Sequence, residues 1–179
     1  MKRRESISLS HRRLLAAAGI TAGILMSLAS LSATSGDDQV AFPEKYSDWQ
    51  LVNSTIVTKD SPLFEQLGGM HLIYANATGL PTLKEGGPFP YPDGTIFADN
   101  VHHFSVEDGR YLEATRKAVT VMAKDSKKYA LTGGWGFQVW AEGDPSKPLV
   151  PDAAHAVQAC FACHSSQKAH DYIFSAYKP

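Results

Sequence analysis

The chain has 179 residues, an apolar content of 44% and a formal charge of −1, which fits one domain plus a targeting segment, with ample chain for a packed core. The first 33 residues hold five basic side chains and one acidic one, so the remainder carries a net −5. Such a surface lacks the positive excess that draws proteins onto phosphate backbones, which speaks against nucleic acid as a partner.

Residues 1–35 read as a secretory signal. A basic stretch, MKRRESISLSHRR, precedes a run of apolar and small residues, the order of an export signal. The apolar run over 14–33 is long enough to serve instead as an uncleaved membrane anchor. Residues 36–179 form the one expected domain. The expected location is the periplasm.

Along that domain, FPEKYSDW opens a brief helix at Pro43, and the β-branched WQLVNSTIV reads as a strand. DSPLFEQLGG predicts one or two helical turns, with Ser61 as cap and Pro62 in the first position. MHLIYANA is a strand candidate, and GGPFPYPDG is a loop. TIFADNVHHF reads as a strand. RKAVTVMAK alternates with strand periodicity. DSKKYAL is a helical turn, and KDSKK reads as a solvated face. GGWGFQVWA is a further strand, with Phe137, Val139 and Ala141 on one side. A helix is expected from Asp152, its cap, through QACFACH. The fold class is α+β: a mainly antiparallel β-sheet with short helices, the last carrying Cys160, Cys163 and His164.

Those two cysteines are the only ones in the chain. C-x-x-C-H is the attachment signature of c-type haem: each thiol adds to a vinyl group and the histidine ligates the iron. Three other readings compete. A thioredoxin-like pair would open a helix inside a βαβ unit, which is absent. Zinc needs four ligands, and adding His155 or His170 gives no common spacing. A disulfide across two intervening residues is strained and stabilises little. Covalent haem, one per chain with His164 as iron ligand, is the preferred reading, and export favours it. Only 15 residues follow His164 and none is Met, so any sixth ligand comes from upstream. Met122 is the candidate there, although its alternation with Val121 favours packing.

LIYAN, PDGTIF, VMAKDSKKYALTGGWGF, CFACH and DYIF, in that order, resemble cytochrome P-460 and its relative cytochrome c′-beta over roughly Phe42 to Tyr177. The resemblance implies a mainly antiparallel β fold, a homodimer, and a five-coordinate haem that binds nitric oxide or, in the P-460 type, oxidises hydroxylamine. In that type a lysine after the D-G-T turn is linked to the haem, and its place falls on Asp99. A distal glutamate assists, and its place falls on Thr120. Neither Lys84 nor Lys117 takes the lysine's place. Both oxidase hallmarks are therefore missing, which leaves the chain nearer to c′-beta, whose distal side is capped by phenylalanine. Phe89 and Phe97 are the candidates for that cap, against a bland reading as core aromatics. The expected partner is a small gaseous or nitrogenous ligand, and the redox partner is unknown. His102 and His103 point to opposite sides of their strand, so at most one approaches the haem. Trp135, Trp140, Tyr172 and Phe174 are expected to bury haem and core.

Overall fold

A computed structural model describes residues 39–178, so the expected export segment lies outside the described residues. Five antiparallel strands run in sequence order across one sheet: β1 (Gln50–Val57), β2 (Gly69–Ala75), β3 (Ile96–Glu107), β4 (Arg110–Lys124) and β5 (Trp135–Ala141). This is the expected α+β architecture. Two short helices interrupt the sheet, α1 (Phe64–Leu67) and α2 (Leu80–Glu85). Ser61 does cap the first turn, accepting from the Leu63 N–H at 3.2 Å, but the regular helix starts only at Phe64. α2 was not foreseen in LPTLKE. Its hold is tertiary: Asn76 accepts from the Gly79 and Ile96 N–H groups, and Leu83 sinks into the core.

Side chains alternate across a sheet, and the register sorts them. His71, Ile73 and Ala75 of β2 share an inner face with Phe97 and Asp99 of β3. Thr120, Met122 and Lys124 of β4 and Trp135, Phe137 and Val139 of β5 continue it. The opposite face packs Ala98, Val119, Val121 and Trp140 against Val40, Phe42 and Tyr46 of the lead-in segment. The Phe42 ring meets Trp140 edge-on at 5.0 Å. Polar alternation would leave one face wet; here both are covered, and five of the seven β5 residues are buried.

The C-terminal helix crosses the inner face. Its first turn, α3 (Ala153–Ala156), is capped by Asp152, whose carboxylate accepts the His155 N–H at 2.9 Å. A wider π turn (Val157–Phe161) follows, then α4 (Ala162–His164) and a 3-10 stretch (Ser165–His170). Wider turns of this kind recur at functional sites. The tail then runs back over the sheet, where the Lys178 N–H meets the Val52 carbonyl.

One buried ion pair fixes where that tail lies. Lys124 Nζ donates to both Asp171 carboxylate oxygens at 2.9 and 2.8 Å and to the Gly133 carbonyl at 3.0 Å. It also sits over the Trp135 ring, 4.9 Å from its centre. Asp171 in turn accepts the Tyr91 N–H at 2.8 Å. KDSKK is therefore not wholly a solvated face. Strand parity turns Lys124 inward, and the Asp171 carboxylate is there to meet its charge. Removing one member of such a pair strands a buried charge and costs about 3–5 kcal/mol. Lys124→Met should lower unfolding stability by that order in urea titrations, while a Lys124→Met, Asp171→Leu double variant loses much less. A single-variant loss below about 1 kcal/mol would contradict the assignment.

Candidate functional site

The π turn and the helical turn after it place Cys160, half-buried, and Cys163, exposed, on one stretch of helix as free thiols. Burial, and next the neighbouring Cys163, raises the Cys160 thiol above its usual value. A redox-active pair does the opposite to its nucleophilic thiol. Zinc fares no better. His155 is held by Asp152 and His170 lies against Gln167. Among the described residues no group of three or more His, Cys, Asp and Glu is placed to hold a metal ion.

His164 is the best-defined member of the site. Its Nδ1 lies 2.8 Å from the Tyr172 carbonyl. A carbonyl only accepts, so the proton is on Nδ1 and Nε2 keeps its lone pair. That carbonyl is aimed by a left-handed turn, with Asp171 at φ 50° and Tyr172 at φ 70°. Gly133 passes under the Tyr172 ring, where a Cβ would collide with it, and its own φ of 67° suits glycine. The imidazole is held between Phe137 at 5.2 Å and Phe174 at 5.1 Å. Burial disfavours its protonated form, so its pKa is lowered despite the Tyr172 bond.

Beside Phe137 the inner face changes character. Ala75, Phe97 and Trp135 are sealed beneath α2, the Pro-rich loop and the tail. Ile73, Asp99, Thr120, Met122 and Val139 are only half-buried. Asp99 is the register partner of both Thr120 and Ile73, so the two positions singled out from the sequence lie side by side. Next to them stands His71, which sequence reasoning missed. Its Nδ1 is 2.7 Å from Asp99 Oδ2 and its Nε2 is 2.7 Å from the Leu67 carbonyl.

The other candidates are dispersed. Phe97 is a core aromatic, packed on Tyr91 and Trp135. Phe89 stacks near Tyr91 and His170 and lines a cleft of about 590 Å³ with Lys168, Asp171 and Tyr172. Met122 is half-buried on the inner face between its register partners Phe97 and Phe137. His102 is buried, within reach of the Ala114 carbonyl and Glu113, while His103 is exposed. Lys84 lies over Tyr177, and Lys117 caps the Gly68 carbonyl. Trp135 and Trp140 are buried, whereas Phe174 is 57% exposed and covers His164.

Cys160 one helical turn before His164, Cys163 directly before it, and an imidazole whose Nδ1 is engaged and whose ring meets Phe137 and Phe174 make a donor set that a haem fits. The fold and these donors together define a class of β-sheet haem proteins. The family model for cytochrome P460 matches residues 43–175, and the chain belongs to that family. No curated protein matches the chain. Family membership makes it a haem protein.

Burial works against the charged form of His71, but the Asp99 hydrogen bond and charge and the Leu67 carbonyl outweigh it, so its pKa is raised. A raised histidine gives its full stabilisation below the unfolded value of about 6.5 and loses it as pH rises through the folded value. The stability difference between the wild type and His71→Gln should therefore be largest in mild acid and shrink on the alkaline side of neutrality. Denaturant titrations across that range check it; a difference that grows with pH would contradict it.

Proposed function

We propose that this is an exported c-type haem protein whose iron binds a small ligand, with nitric oxide as the leading candidate. Cys160 and Cys163 would form the two thioether links, one haem per chain, and His164 Nε2 would hold the iron. The observation that carries this is the His164–Tyr172 bond. It fixes the tautomer, orients the ring and makes Nε2 the better donor, as carbonyl partners do for metal-bound histidines. The haem, when bound, supplies axial ligand binding and electron exchange. The chain's residues do the rest. Phe137 and Phe174 flank the His164 ring and would hold it in place beside the haem. Ile73, Met122 and Val139 offer an apolar wall to a diatomic gas, which needs no hydrogen-bond donor. Met122 packs as a strand residue in this reading, and would leave the iron free to take a small ligand.

The signal-like residues 1–35 support a periplasmic location and the family resemblance supports a homodimer; the redox partner is unknown. Hydroxylamine oxidation is the second activity the resemblance raises. Asp99 does not form the lysine link, and a threonine hydroxyl at 120 is a poor base. Slow turnover at most is expected.

Replacing Cys160 and Cys163 by Ala should leave haem extractable by acid–acetone, whereas the wild type keeps it; retention by the variant would sink the covalent reading. The wild-type haem peptide should show two thioether links by mass spectrometry. A third link, to any lysine, together with hydroxylamine turnover at the level of a P-460 enzyme would make the oxidase the better reading. The reduced holoprotein should change its absorption spectrum on adding nitric oxide, and an unchanged spectrum would refute ligand binding.

A further inference from the structure

The β3–β4 hairpin outruns the sheet that it belongs to. The last β2–β3 pair is Met70 with His102, and the first β4–β5 pair is Ala118 with Ala141. Beyond them β3 and β4 continue as a two-stranded ribbon of their own. A ribbon wet on both faces is expected to be polar on both, and one face of this one is not. Strand parity puts Phe104, Val106 and Tyr111 together there, with Val106 directly opposite Tyr111. Val106 and Tyr111 are 58% and 48% exposed. The Phe104 and Tyr111 rings lie 5.5 Å apart with their planes at 63°, which makes an aromatic corner. Phe64 of α1 adds a third ring. A Cβ on Gly68 would come within 2.7 Å of that ring, so the glycine leaves room for it. The three rings line one cleft of about 390 Å³, and Asp60 stands on its wall. None of the residues lining it is among those that hold His164.

We propose that this cleft binds a small organic cation, a quaternary or methylated ammonium group held between Phe64, Phe104 and Tyr111 with Asp60 as its counter-charge. Ring faces attract a cation through their quadrupole, and the attraction grows as the cation leaves water. A methylated ammonium gives up its water easily and offers apolar surface to the rings. The Asp60 carboxylate is exposed and has no ion pair or hydrogen bond among the described residues. An anionic ligand would be repelled by it, and a neutral apolar one would leave it unpaired. Lys59 is the opposing charge on the same wall. Glu65 and Glu107, which follow Phe64 and Val106 in the chain, tip the local balance to the acidic side. Arg110 at the hairpin tip is drawn to Asp108 at 3.7 Å. No bond is made or broken in this binding, and the proposal does not rest on the haem reading.

The test is isothermal titration calorimetry of the holoprotein at about pH 8, where imidazoles such as His103 are neutral. Choline is the probe, and dimethylbutanol, its uncharged carbon isostere, is the reference. Choline should bind, and the isostere should bind at least about tenfold more weakly, the scale of one cation–aromatic contact. Tyr111→Ala should weaken choline by about the same factor, while Tyr111→Phe, which keeps the ring, should stay within about threefold of the wild type. Asp60→Asn should weaken choline in low salt and leave the isostere unchanged, since only the ion feels the lost charge. Asp60 sits in an exposed turn, so this arm stands even if Tyr111→Ala disturbs the hairpin. An isostere that bound as tightly as choline would overturn the proposal, as would choline binding that neither Tyr111→Ala nor Asp60→Asn altered. No choline binding at about 10 mM would overturn it too, and would leave the haem reading, which has its own spectral test, standing.

Discussion

The position of His164 is set from outside the helix that carries it, by the Lys124–Asp171 pair. Lys124 ends β4, Asp171 starts the tail, and their bond brings the tail down on the inner face. The next residue, Tyr172, presents the carbonyl that fixes His164. The same carboxylate takes the Tyr91 N–H, so the Pro-rich loop is tied to the same point. Buried ion pairs rarely add much net stability, because desolvating two charges offsets most of their attraction. This one earns its place through geometry: loop, strand end and tail meet at one carboxylate, one residue from the group that orients the imidazole.

The inner face has two regimes, and their boundary runs beside Phe137. On one side Ala75, Phe97, Tyr91 and Trp135 form an ordinary close-packed core, with Tyr91 and Phe97 edge-on at 5.3 Å. On the other, Ile73, Asp99, Thr120, Met122 and Val139 are half-covered, and a histidine–carboxylate pair sits among them. A sheet face built for stability alone would carry apolar residues there, since a polar pair costs desolvation and a lone carboxylate oxygen costs more. That departure from good packing practice is what is expected where a site is held against the local folding rules.

Much of the molecule could be read from its residues, for physical reasons that also explain the exceptions. Alternation in RKAVTVMAK and GGWGFQVWA located β4 and β5 because a strand's period survives burial on both faces. Cys160, Cys163 and His164 stood out because the C-x-x-C-H spacing brings two thiols and an imidazole together on one short stretch of helix. Asp99 and Thr120 could be named from resemblance, but their adjacency depends on strand register, which no local pattern encodes. His71 was invisible for the same reason: within MHLIYANA it is one polar residue on a strand, and its partner lies 28 residues away. α2 was missed because LPTLKE contains a proline and ends at two glycines, and its support comes from Asn76 and the core. Lys124 was misjudged because a lysine in a charged run is normally solvated, and its partner lies 47 residues on.

The central claim is that His164 Nε2 ligates a haem iron while Nδ1–H is held by the Tyr172 carbonyl. Resonance Raman spectroscopy of the ferrous, ligand-free holoprotein reads that bond directly through the iron–histidine stretch. The account predicts a stretch characteristic of a neutral, hydrogen-bonded imidazole in five-coordinate iron. It also predicts that the stretch is absent in His164→Gly and returns at a shifted frequency when imidazole is added. A stretch that persisted in His164→Gly without added imidazole, or a six-coordinate wild-type spectrum with no such band, would contradict it.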